Sequence, residues 1–149
     1  MLFNFGVRDK KAYAIDTGLA EAVGISFSPN RGRLLENLVA QACYRRQLQG
    51  EMRVYYWKDP RGSEADFVLQ RGHAVESVIQ VSLDAESPKV RTREIRGLLH
   101  AGQALRCSDL LLLTGTGEEG ESVESWHGYS AAVRHLPVWK WLLSQESAP

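Results

Sequence analysis

The sequence is poor in several things, and each shortage narrows what the protein can be. It has two cysteines, Cys43 and Cys107, with no Cys-x-x-Cys pair and no histidine at ligand spacing. That argues against structural zinc and a disulfide scaffold, and suits a reduced, cytoplasmic compartment. No aliphatic run exceeds Leu110–Leu113, far short of the roughly 20 apolar residues of a membrane span. The opening Met1-Leu2-Phe3-Asn4-Phe5-Gly6-Val7-Arg8 has no basic segment followed by an apolar one, so no signal peptide is expected. Charge of one sign is missing too: 18 Lys and Arg balance 18 Asp and Glu. No overall field draws a polyanion or a membrane surface, so any binding of nucleic acid must come from local charge placement. A G-x-x-x-x-G-K-[ST] phosphate loop is also absent; the chain is expected to bind no nucleotide itself. There is no internal repeat, no low-complexity tract and no Pro/Ser linker before the last few residues.

What remains is an ordinary globular composition, 44% hydrophobic and 24% charged over 149 residues, enough for one domain with a substantial core. Residues 12–16 alternate like a short strand ended by Thr17-Gly18. Asn30 is placed to cap a helix reaching about Gln49, whose Leu34, Leu35, Leu38, Val39, Ala42 and Cys43 form one stripe. Strand signals follow over 52–58, 64–70 and 75–83, separated by Asp59-Pro60-Arg61-Gly62 and Arg71-Gly72-His73. Ser87 and Pro88 open a second helix to about Leu105. Residues 109–115 read as a buried strand, 115–121 as a loop, and 122–126 and 132–136 as strands. Pro137 opens a closing helix with Trp139, Leu142 and Leu143. This order predicts an α/β fold, a central mixed sheet flanked by helices.

One constellation could carry chemistry. Glu64 and Asp66 are two apart on a strand, which predicts a shared face, and Gln80 and Ser82 are two apart on the next. Hairpin pairing would then set the two polar pairs side by side. Glu36 borders the apolar stripe of the first helix, aimed at the same spot. Such a cluster of Glu36, Glu64, Asp66 and the Gln80 amide oxygen is a candidate site for Mg²⁺ or Mn²⁺, hard cations that prefer oxygen. A bound cation there could activate water against a phosphodiester. The same carboxylates are equally at home on a solvated strand face. In the second helix Arg91 and Glu94 project into the inward arc of Val90, Ile95, Leu98, Ala101 and Leu105, three apart and able to pair. They are expected near the carboxylates, as a structural ion pair or a catalytic one. His73, His100, His127 and His135 are scattered and give no hydrolase signature, and Trp126, Trp139 and Trp141 read as core and edge packing.

The strings Tyr13-Ala-Ile-Asp-Thr-Gly-Leu19, Gly32-Arg-Leu-Leu-Glu-Asn-Leu-Val39, Tyr55-Tyr-Trp57, Glu64-Ala-Asp-Phe-Val68, Ile79-Gln-Val-Ser82, Thr92-Arg-Glu-Ile95 and Leu136-Pro-Val-Trp-Lys-Trp-Leu142 occur in this order. Together they resemble the C-terminal domain of unknown function carried by predicted archaeal and bacterial AAA+ ATPases, a domain regarded as PD-(D/E)XK nuclease-like. The resemblance covers roughly residues 10–143. It implies a restriction-endonuclease-like core of α-β-β-β-α-β order over 31–143. Residues 1–30 would then be an N-terminal strand and connecting segment, and 144–149 a disordered tail, a single domain overall.

By this resemblance Glu36 matches the helix glutamate, Asp66 the first strand aspartate, and Glu64 the accompanying acid. The (D/E)-X-K positions fall on Gln80 and Ser82, which bring neither the acid nor the lysine; Arg91 is a candidate migrated positive charge. Two readings follow. The chain is a nuclease-like module with a degenerate site, binding DNA, an AAA+ ATPase domain or another protein. Alternatively it is an active Mg-dependent DNA endonuclease using Glu36 and Asp66.

Overall fold

A computed structural model describes residues 2–5, 11–16, 18, 31–85 and 87–146. Its described elements are β1 (Leu2–Phe5), β2 (Lys11–Ala14), α1 (Arg31–Leu48), β3 (Arg53–Lys58), β4 (Glu64–Arg71), β5 (Ala74–Ser82), α2 (Pro88–Leu105), β6 (Leu110–Thr114), β7 (Gly120–Trp126), β8 (Tyr129–Pro137) and α3 (Val138–Glu146). Thr17, expected with Gly18 to end the first strand, and Asn30, the expected helix cap, lie outside the described residues. The helix α3 runs to Glu146, so its last turn takes up residues expected in the tail.

Two sheets form. β1 and β2 make an antiparallel ribbon, with Leu2 opposite Ala14 and Phe5 opposite Lys11. The main sheet is mixed, in the order β3-β4-β5-β6-β8-β7. β3, β4 and β5 form an antiparallel meander through the two turns read from the sequence. β5, β6 and β8 are parallel, and parallel neighbours need a crossover, which α2 supplies between β5 and β6. β7 closes the far edge antiparallel to β8.

Helices cover both faces. On one face Val39, Ala40, Ala42 and Cys43 of α1, with Val138 and Trp141 of α3, pack on Phe67, Leu69, Ile79, Leu111 and Leu113. On the other, Ile95, Leu98, Leu99 and Ala101 of α2 pack on Ala65, Val78, Leu110, Leu112 and Val133. The four leucines of β6 divide two and two between the faces, which is why a continuous apolar run marks a strand buried on both sides. The apolar stripe of α1 differs from the one expected: Leu38 is largely exposed and Asn37 is buried in its place. Trp141 is core, whereas Trp139 stands 57% exposed. Ser87 holds the first cap position of α2, yet its side chain makes no capping bond. No helix among the described residues is long and apolar enough to cross a membrane.

One irregularity in the sheet matters for everything that follows. Tyr55 pairs with Val68 and Trp57 with Ala65, so Asp66 and Phe67 together oppose the single residue Tyr56. This is a β-bulge. It breaks the alternation of β4, since Ala65 faces α2 while Phe67 and Leu69 face α1. The α2 helix lies very close to this strand: a Cβ on Gly97 would come within 2.3 Å of the Glu64 carbonyl oxygen. Gly97→Ala is therefore expected to destabilise the fold by about 1–3 kcal/mol through overpacking, read as a lower midpoint in urea unfolding.

Candidate functional site

The ribbon strand β2 brings to the sheet a residue the sequence reading passed over. Lys11 Nζ lies 3.0 Å from Glu36 Oε1 and 2.5 Å from Asp66 Oδ1, bridging α1 and the bulge with one ammonium. The same Nζ sits over the Tyr56 ring, 4.9 Å from its centre. Tyr13, two residues along β2, donates its hydroxyl to Glu36 Oε1 at 2.6 Å, and its ring lies against Phe67. The strand is pinned on α1 by Asn37, whose Oδ1 accepts from the Ala14 N–H at 2.8 Å while its Nδ2 donates to the Ala14 carbonyl at 2.9 Å. Gln41 donates to the same carbonyl. A buried asparagine here does the work of a neighbouring strand, satisfying both backbone groups of an edge residue.

Asp66 is nearly completely buried. Its second oxygen, Oδ2, accepts from the Val81 N–H at 2.8 Å. Burial drives the Asp66 pKa up to about 7, the Lys11 ammonium pulling it down and the Glu36 carboxylate adding a further upward push. Lys11 also loses hydration, which favours the neutral amine, but Asp66 and Glu36 outweigh that and hold its pKa above the usual lysine range. The Tyr13 hydroxyl is pushed well up by burial and by Glu36. Glu64 is exposed and accepts from the Tyr56 hydroxyl at 2.5 Å. A cleft of about 310 Å³, lined by Lys11, Ala12, Tyr13, Arg33, Glu36 and Asn37, opens on this group.

Gln80 and Ser82 lie on the other side of the sheet. The β5–β6 register is unbroken from Val78 to Ser82. Val78 faces α2 and Ile79 faces α1, so Gln80 and Ser82 share the α2 face. Both ends of the Gln80 amide are engaged there: Oε1 accepts from the Asp66 backbone N–H at 3.1 Å, and Nε2 donates to Glu94 Oε2 at 2.6 Å. This orientation is fixed by chemistry, because an N–H needs the oxygen and a carboxylate needs the NH₂. The expected side-by-side arrangement of Asp66 and Gln80 is thus overturned. In a regular ladder with Phe67 opposite Ile79, Asp66 would share the face of Gln80; the bulge turns its carboxylate to the α1 side instead.

Arg91 and Glu94 also part company. Both point inward from α2, but they do not pair with each other. Arg91 Nη2 lies 2.5 Å from Glu124 Oε1 and 3.4 Å from Ser122 Oγ, towards the β7 edge. Arg91 therefore brings no positive charge to Asp66. Glu94 is buried and holds Gln80 and its neighbour Arg93. Two histidines engage serines elsewhere: His100 Nδ1 meets Ser63 Oγ at 2.9 Å and His135 Nε2 meets Ser122 Oγ at 2.7 Å. Asp59 approaches the same Nδ1 of His100, at 3.9 Å, so the ring cannot relay a proton from serine to carboxylate. His135 is held below the usual histidine pKa by burial and by Arg91.

Of the residues singled out in the sequence, the structure gathers Glu36 and Asp66. It leaves Gln80, Ser82 and Glu94 across the sheet, Arg91 at its far edge, and Glu64 on Tyr56. Lys11, Tyr13 and Asn37 escaped the sequence reading. The signal for the first two was there: Lys11 and Tyr13 are two apart on a strand and so share a face. With Lys11 in place, the donor set does not fit Mg²⁺ or Mn²⁺. One oxygen of each carboxylate is committed to Lys11, the Gln80 oxygen is turned away, and among the described residues no three His, Cys, Asp or Glu side chains gather as ligands.

A profile of the family described as Domain of unknown function (DUF4143) matches residues 31–130, about two thirds of the chain. The chain belongs to the DUF4143 family. Comparison with curated proteins and with solved structures gives no match. The DUF4143 match contains Glu36, Glu64, Asp66, Gln80, Ser82, Arg91 and Glu94, while Lys11 and Tyr13 lie ahead of it.

Titration of this DUF4143 chain offers a direct check on the buried carboxyl. Because the folded value of about 7 lies above the unfolded value near 3.9, the native state holds more protons across that interval. The Asp66 contribution to stability must then fall as pH rises from about 4 to 7 and level off above. Asp66→Asn should flatten this part of the stability–pH curve in urea unfolding. Gln80→Ala, which removes the partner of the Asp66 N–H and of Glu94 Oε2, should cost about 1–3 kcal/mol.

Proposed function

We propose that the chain is a PD-(D/E)XK nuclease-like module of an AAA+ ATPase-type protein, and that it serves in binding rather than phosphodiester hydrolysis. The observation that carries this reading is the Gln80 amide. It sits where the motif acid would stand and is spent on the Asp66 N–H and Glu94. Ser82, at the lysine position, is buried on that same face and offers no amine. With no (D/E)-X-K side chain beside Asp66, the chemistry of that motif has no place to occur.

The partner that suits this module best is a protein, such as the ATPase domain itself. Eighteen basic residues are matched by eighteen acidic ones, and several of the arginines are already paired with carboxylates, among them Arg46, Arg71, Arg91, Arg93 and Arg134. A surface neutralised in this way has little to exchange for phosphate counterions. The second reading, a Mg-dependent DNA endonuclease, draws on the convergence of Glu36 and Asp66 around one ammonium.

The test is incubation of the full chain with supercoiled and linear DNA in Mg²⁺ or Mn²⁺. No cleavage above buffer is expected; cleavage lost in Asp66→Ala would overturn the binding reading in favour of the endonuclease. Restoring the motif is not expected to restore activity. Gln80→Glu sets a second carboxylate against Glu94 in a buried site and should lower stability by several kcal/mol. The Gln80→Glu, Ser82→Lys double variant should melt lower and still leave DNA intact.

A further inference from the structure

We infer that Lys11 is the resident cation of the Glu36–Asp66 cleft, delivered by the β1–β2 ribbon, and that it occupies these carboxylates in place of a divalent metal. This deepens the binding reading, since it says what the cleft holds when no catalytic metal is there. The placement is over-determined. The ammonium is fixed by an oxygen from α1, an oxygen from the bulge and the face of Tyr56. The strand carrying it is fixed independently by Asn37, Gln41 and the Tyr13 hydroxyl.

Electrostatics explains why one occupant excludes the other. A buried carboxylate beside a second one needs a counter-charge, and Lys11 supplies it from within the chain. A Mg²⁺ or Mn²⁺ ion drawing on Glu36 Oε1 and Asp66 Oδ1 would need both oxygens at bonding distance, where Nζ now donates to each. Two cations at that separation repel strongly in a partly desolvated cleft. The metal can enter only if the ammonium leaves, and leaving gives up both carboxylate contacts and the Tyr56 face together.

Removing the charge while keeping the chain length should therefore turn the cleft into a metal site. At pH 8, isothermal titration with MnCl₂ alone is expected to give no saturable binding to the natural chain. Lys11→Met should bind one Mn²⁺ at least tenfold more tightly, and Lys11→Met with Asp66→Ala should lose that binding. Lys11→Arg, which keeps the positive charge, should refuse Mn²⁺ like the natural chain. Stoichiometric Mn²⁺ binding by the natural chain, abolished by Asp66→Ala, would overturn the inference, as would a folded Lys11→Met that gains no affinity. A second measurement covers the case in which Lys11→Met fails to fold. Paramagnetic broadening of the natural chain by Mn²⁺ should spare the amides around Glu36, Asp66 and Val81, and selective broadening there would sink the proposal without any variant. Mn²⁺ binding without DNA cleavage would refute only the role of Lys11; cleavage with binding would refute the binding function as well.

Discussion

The central strands β4, β5 and β6 are covered by helices on both faces, and the buried polar side chains among them answer to that covering. A group enclosed on both sides cannot keep its hydration, so it must be bonded within the protein or be excluded. Asp66 and Gln80 meet this demand jointly. Where the β4–β5 ladder stops at Phe67 and Ile79, the Gln80 amide takes the Asp66 N–H and the Asp66 carboxylate takes the Val81 N–H. Two side chains replace the missing rungs of the sheet. From this one exchange the polar interior divides into two networks, one on each face.

On the α2 face the network runs from the Asp66 backbone through Gln80 to Glu94 and Arg93. It ties β4, β5 and α2 together close to the point where Gly97 lets the helix approach the Glu64 carbonyl. On the α1 face it runs from the Asp66 carboxylate through Lys11 to Glu36 and Tyr13, tying the ribbon to both the helix and the sheet. The bulge at Asp66–Phe67 is the switch between them. A regular strand would have put the Asp66 carboxylate on the α2 face with Gln80, away from Glu36. The bulge commits them to separate structural duties, with an ammonium on one side and an amide on the other.

The two networks differ in chemical character. The amide network is buried at Gln80 and Glu94 and reaches solvent at Arg93. The ammonium network faces a cleft, and its balance depends on charge: two carboxylates, one lysine, and a carboxyl raised to about 7. Charge-dependent assemblies respond to pH and to competing cations, and it is the ammonium network that opens on a cleft. For that reason the functional question in this family member concentrates on Lys11, Glu36 and Asp66.

The sequence by itself determined the order and kind of nearly every described element. Local pattern decides those: the stripe of α2, the turns Asp59–Gly62 and Arg71–His73, and the four leucines of β6 each carry their signal within a few residues. It also grouped Glu36 with Asp66, but their meeting rests on the bulge that turns Asp66 towards α1. Only the tertiary structure decided the rest. The bulge depends on how β3 registers against β4, so it has no mark in β4 alone, and yet it moves Asp66 to the face opposite Gln80. Lys11 is 25 residues from Glu36 and 55 from Asp66, and its place depends on Asn37 acting as a strand partner for Ala14. Arg91 and Glu94 share an arc on the helical wheel, but a wheel says which way a side chain faces and not what the sheet presents beneath it. Periodicity is a local property, while the identity of a partner across a register shift belongs to the whole fold.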